Sequence, residues 1–120
     1  MENIAPPENW IVHLCTRQDW QAAQLAGEYR ADSLKTEGFI HCSRPEQIVS
    51  VANLFYRDVP HLVLLWIDPA GLLAPLRWEA VGEQVFPHLF GPLNLAAIMA
   101  ARDYLPDADG VFRQAPGLSL

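Results

Sequence analysis

Apolar and polar positions along the chain fall into short blocks whose period switches between two and about 3.6 residues. Trp10–Cys15 reads as a strand, with alternation setting Ile11, His13 and Cys15 on one face. A helix from about Arg17 to Ala26 follows, with Ala22, Leu25 and Ala26 at core-facing spacing, Trp20 in its first turn and Gly27 as its stop. Glu28–Glu37 is polar and reads as a loop with a short turn at Ser33–Thr36, laid over the neighbouring strand ends. Phe39–Cys42 is a second strand, with Phe39, His41 and Ser43 sharing a face. The helix from Pro45 to Tyr56 then turns Ile48, Val51, Ala52, Leu54 and Phe55 inward.

The second half is strand-like. Leu62–Ile67 is apolar on both alternating sets, as in a central strand covered on both faces. Asp68-Pro69-Ala70-Gly71 is turn chemistry. Leu76–Ala80 alternates as a half-exposed strand, Val81-Gly82-Glu83 turns, and Val85–Phe90 is extended again, with Pro87 restricting it to an edge or bulge. Leu95–Arg102 favours helix by propensity, whereas Ile98, Ala100 and Tyr104 against Met99 and Ala101 alternate as a strand, so pattern alone leaves both open. Asp107–Gly110 is a turn before a short final strand at Val111–Phe112. Several strands with two helices in the N-terminal half define an α+β class. One domain with an arm at residues 1–9 is expected.

Chemistry gathers at two strand-to-helix corners. His41-Cys42-Ser43-Arg44 repeats the order histidine, cysteine, hydroxyl, arginine of His13 to Arg17. Thr16 and Ser43 are placed as helix caps; Ser43 with Glu46 three residues on has the spacing of a capping box, with Pro45 in the first turn. A capped N-terminus presents backbone N–H groups and the positive end of the helix dipole, a site for an anion, with His41 and Arg44 beside it. The two corners are expected side by side, joined by the Pro87 segment, so that His13, His41 and His88 share one pocket. Trp78, between Arg77 and Glu79, would line the cleft. His61 lacks such a setting and is read as structural.

Composition limits the partners. The net charge is −6, and the cations are seven arginines and one lysine, Lys35. So few positive charges disfavour long nucleic acids, while arginine suits bidentate contact with a phosphate or carboxylate. The apolar runs are too short for a membrane span and the first residues lack a signal-peptide pattern. Two cysteines without CxxC spacing fit a reducing cytoplasm, the expected location. Zinc ligation by His13, Cys15, His41, Cys42 and His88 is the lesser reading, because the spacing is wrong for compact motifs and alternation turns Cys42 away from His41. Cys15 as a nucleophile is weighed against a buried, inert thiol.

The ordered segments Ile11-Val12-His13-Leu14, Gly38-Phe39-Ile40-His41-Cys42-Ser43, Leu76-Arg77-Trp78-Glu79 and Phe86-Pro87-His88-Leu89-Phe90-Gly91-Pro92-Leu93 resemble a family of small bacterial proteins catalogued only as a domain of unknown function. The resemblance runs from about Trp10 to Phe112. That family is similar in fold to the ADP-ribosyltransferases, which implies a split, bent α+β sheet with a cleft for a nicotinamide dinucleotide. It also implies a ribose-binding histidine at His13, and a ring near the nicotinamide at His41 or Phe39. Where those enzymes carry a late glutamate the sequence has His88, with Glu79 and Glu83 nearby. The resemblance favours strand for Ile98–Tyr104. RNA 2′-phosphotransferases share the fold without the glutamate, but they need a basic surface, which this chain lacks.

The sequence thus points to a nucleotide or other phosphorylated small molecule, NAD among them, in a cleft lined by histidines. His13, His41 and His88 are the catalytic candidates, and Thr16, Ser43, Arg44 and Trp78 the ligand-binding ones, with no metal. A non-catalytic binding module is the alternative.

Overall fold

The computed structural model describes residues 7–117. The chain runs β1 (Ile11–Thr16), α1 (Arg17–Ala26), β2 (Glu28–Tyr29), α2 (Asp32–Thr36), β3 (Ile40–His41), a 3-10 turn (Pro45–Gln47), α3 (Ile48–Phe55), β4 (Leu62–Ile67), β5 (Leu76–Val81), β6 (Gln84–Leu89), β7 (Leu93–Asn94) and β8 (Ile98–Tyr104). All strand pairs are antiparallel, in three sheets ordered β1-β4-β8, β2-β7 and β3-β6-β5. This is the α+β class expected.

β3 links the two larger sheets. Ile40 and His41 pair with Leu89 and His88 on β6, and Cys42 donates its N–H to the Pro87 carbonyl. One residue later the chain changes partner, and Ser43 exchanges backbone hydrogen bonds with Val12 on β1, 2.8 and 2.9 Å. Every residue of β4 is buried, and β4 lies between β1 and β8. Its alternating faces enter two separate cores. Val63, Leu65 and Ile67 meet Ile11, Cys15, Ile40, Cys42 and Leu89, whereas Leu64 and Trp66 meet Val12, Leu14, Ile48, Ala52 and Phe112. Fully burying one such aliphatic side chain contributes roughly 1.5–3 kcal/mol.

Local signals place α1 well. Thr16 Oγ1 accepts the Asp19 N–H at 3.1 Å, and Gly27 ends the helix at φ +86°, where a Cβ would be strained. Its inward face is different from the one expected: Ala23 is buried, with Trp20 half-buried, while Ala22, Leu25 and Ala26 face out and Leu25 is 91% exposed. With apolar residues at 22, 23, 25 and 26, periodicity cannot select which narrow stripe meets the sheet. On α3 only the Ile48 and Ala52 row is buried, and Leu54 and Phe55 stand in solvent.

Four other expectations are corrected. The segment after α1 is an ordered two-stranded sheet and a helix, because Glu28 and Tyr29 pair with Asn94 and Leu93. Ser43 does not cap a helix. Its backbone is taken by β1, and the turn starts one residue later, with the Arg44 N–H donating to Gln47 Oε1 at 2.8 Å. β6 is a central strand despite Pro87. In an extended strand one residue's N and C=O point the same way, and those of Pro87 point to β3 just where β3 leaves for β1, so the ring forgoes only the bond reciprocal to Cys42 N–H and leaves the β5 side of the ladder intact. Finally, Val111–Phe112 forms no strand: the Asn53 amide accepts from Phe112 N–H and donates to Phe112 C=O, both at 2.8 Å, replacing a strand partner. Leu95–Ala97 is a 3-10 turn, and Ile98–Tyr104 is strand. Of the expected N-terminal arm, residues 1–6 lie outside the described residues.

Candidate functional site

Alternation sends Ile40, Cys42 and Leu89 into the core and turns His41 and His88 onto the opposite face of the β3-β6-β5 sheet. The β5–β6 register brings Arg77 opposite His88 and Glu79 opposite Phe86 on that same face. Glu79 Oε1 lies 2.8 Å from His88 Nδ1. The His88 ring meets the His41 ring edge-on, centroids 5.3 Å apart, and His41 Nε2 reaches Glu37 Oε2 at 2.9 Å. The result is a continuous row: Glu79, His88, His41, Glu37.

Each carboxylate fixes a tautomer, since it can only accept. Nδ1–H of neutral His88 therefore donates to Glu79, and Nε2–H of His41 to Glu37. That leaves His88 Nε2 and His41 Nδ1, neither hydrogen-bonded to any described residue, as proton acceptors. His41 is exposed, whereas only 4% of His88 is. Phe39 covers His88, stacked at 4.1 Å and 21°, and Phe90 lies beside Phe39 with the Arg77 guanidinium 4.8 Å above its ring.

His13 is near this row but on the other side of the sheet. Its Nδ1–H donates to the His41 carbonyl and its Nε2 accepts from the Tyr29 hydroxyl at 2.8 Å. Both ring nitrogens are thereby used. Burial pulls the imidazole down to about 4, with the His41 carbonyl opposing that shift, so His13 is neutral near pH 7. Burial likewise raises both Cys15 and Cys42 to about 12. At neutral pH these are thiols, not thiolate nucleophiles.

The other candidates are dispersed. Thr16 caps α1 at the far end of β1, four residues or about 13 Å from the Val12–Ser43 bridge, so the two corners do not adjoin. Ser43 is buried in that bridge. Arg44 and Trp78 do come together, the guanidinium 5.0 Å from the ring centroid, in a shallow cleft of about 390 Å³ shared with Trp10, Glu46 and Leu76. Trp78 lies on the opposite face of β5 from Glu79, so this cleft is separate from the histidine row. Gly91 lets Ala74 approach closely: a Cβ at position 91 would lie 2.6 Å from the Ala74 Cβ. The described residues contain no cluster of three or more His, Cys, Asp or Glu able to hold a metal ion, and no helix long and apolar enough to cross a membrane.

Sequence reasoning underweighted Glu79 and missed Glu37, Arg77 and Tyr29. Glu37 carried a local signal, four residues before His41. Tyr29, an isolated aromatic in a polar stretch, carried no signal of periodicity or spacing.

The chain belongs to the family described as "Protein of unknown function (DUF952)", whose profile matches residues 14–101. It is similar to protein CC0527 from Caulobacter crescentus. Against the crystal structure of that protein the TM-score is 0.81 at 34% identity, covering 88% of this chain and 94% of that one. Against its solution NMR structure the TM-score is 0.75 at 34% identity, covering 87% and 91%. No curated protein matches the chain.

Proposed function

We propose that the outer face of the β3-β6-β5 sheet is an acid–base site for a small ligand carrying a planar, electron-poor ring, with a nicotinamide dinucleotide as the ligand the family resemblance implies. The observation that carries this reading is the row Glu79, His88, His41, Glu37: two imidazoles in ring contact, each oriented by its own carboxylate.

The residues suit such a ligand. A cationic ring would stack on Phe39 or Phe90 and be favoured by the two carboxylates, while Arg77 would take a phosphate oxygen. When bound, the dinucleotide would supply a glycosidic bond with a neutral pyridine as leaving group. His41, the exposed ring, would accept a proton at Nδ1 from an attacking hydroxyl or water. Glu37 would stabilise the resulting imidazolium, with the Glu79–His88 pair behind it. Glu79 would thus supply the carboxylate that the late glutamate supplies in ADP-ribosyltransferases. This reading moves the working surface from three histidines to two. His13 is proposed as the positioning residue that holds the His41 backbone.

Isothermal titration with NAD and with ADP-ribose, alongside histidine-selective NMR, tests it. Binding should shift the His41 and His88 resonances while leaving His13 unmoved, and Glu79→Gln should weaken binding about tenfold, the order expected from losing one charge-assisted contact. No heat at millimolar ligand together with an unchanged spectrum rejects it. The alternative, a binding module without transfer chemistry, is favoured by the commitment of both His13 nitrogens within the protein; it predicts binding without turnover of NAD.

A further inference from the structure

The β5 edge carries unused pairing capacity. β5 is the last strand of its sheet, and Trp78 faces Pro87 in the ladder. Because the Pro87 carbonyl points to β3, where it takes the Cys42 N–H, Trp78 and Pro87 form a non-hydrogen-bonded pair. The N–H and C=O of Trp78 therefore turn away from β6, as do those of Leu76 and Ala80, and no described residue pairs with them. Of the usual edge protections Leu76–Val81 carries only charged side chains, Arg77 and Glu79, and has no proline, lysine or bulge.

The side chains along this edge are complementary about Trp78, with Arg77 answered by Glu79 and Leu76 by Ala80. An antiparallel second copy with a twofold axis at Trp78 sets Arg77 opposite Glu79 twice, Leu76 opposite Ala80 twice, and the two Trp78 side chains together. Both charge pairs are attractive and fall at the non-hydrogen-bonded positions, where facing side chains approach closest. The other long free edge, β8, has no such symmetry. A twofold pairs only residues of one face, and Arg102 and Asp103, being consecutive, point to opposite faces and never oppose each other.

We infer that the chain forms a twofold dimer by β5-to-β5 pairing centred on Trp78, in which each copy sets its Arg77 beside the Glu79 of the other. The contact extends the sheet to six strands across the axis and brings a second guanidinium to the Glu79–His88 pair of each site. It rests on the edge geometry and not on the ligand reading, and its test needs no ligand.

Sedimentation equilibrium of the full chain should show the mass rising from one copy to two with concentration. Arg77→Glu and Glu79→Arg should each remain monomeric, since each opposes like charges twice. Their equimolar mixture should dimerise again, because one variant then presents only carboxylates and the other only guanidinium groups at the four positions. Trp78→Pro removes a donor that faces outward, so it should abolish the dimer without disturbing the β5–β6 ladder, and Ala80→Pro does the same should the first variant fail to fold. A wild-type chain that stays monomeric at its solubility limit overturns the inference. So does a dimer that survives both proline variants, or a mixture of the charge variants that does not associate.

Discussion

His13, a catalytic candidate by sequence, has both ring nitrogens engaged within the protein. Its ring is enclosed between the Tyr29 hydroxyl and the His41 carbonyl and is held neutral by burial. An imidazole lowered from 6.5 to about 4 takes up a proton on unfolding anywhere between those values. Its contribution is therefore complete above pH 6.5 and is lost as pH falls toward 4, amounting to about 3 kcal/mol over that window. Urea melts across this range should show the loss in the wild type. His13→Gln, which cannot titrate, should remove that part of the pH dependence while lowering stability at pH 7. By contrast Glu79 and His88, nine residues apart, needed only a hairpin to meet. Gly82 at φ +63° opens the two-residue loop Gly82-Glu83 that sets their register, as a type II′ connection requires.

At the scale of elements, what the sequence revealed depended on how local the controlling interaction was. The bounds of α1 were readable because a hydroxyl cap and a glycine stop act within one turn of the helix. Thr16→Ala should accordingly cost about 1 kcal/mol, read as a lower urea midpoint at unchanged slope. Ile98–Tyr104 shows the opposite case. Its alanines and methionine favour helix, yet it pairs with β4 along its length, and tertiary pairing outweighs a propensity of a few tenths of a kcal/mol per residue. Pro87 misled for a geometric reason: its ring excludes a donor only on the side facing β3, where the partner strand is already departing. Val111–Phe112 has the composition of a strand, but a side-chain amide from Asn53 took the place of its partner.

For the whole molecule, the two cores on either face of the β1-β4-β8 sheet explain why the thiols are silent. Cys15 and Cys42 are buried in the same core, and that burial pushes both up to about 12. A thiol reagent at neutral pH should therefore label the folded chain only through unfolding. The labelling rate should climb with urea in step with the global transition; rapid modification in native buffer would show that this core opens locally. The second core is closed by the C-terminal segment, where the Tyr104 hydroxyl donates to the Arg113 carbonyl and the Trp66 indole donates to Pro116 C=O at 3.2 Å.

The amino-acid sequence by itself determined the bounds of α1, the central strand β4, the α+β class and the candidate histidines, because caps, turns and alternation are written within a few consecutive residues. It could not determine which of those histidines would work together. That choice was made when β3 passed from β6 to β1, a rearrangement of partners between residues 28 and more positions apart. It put His13 behind the sheet, His41 and His88 in front, and a glutamate from a third strand beside them. Contacts of that kind depend on strand register and on which face each strand presents, and both are fixed only when distant segments pack.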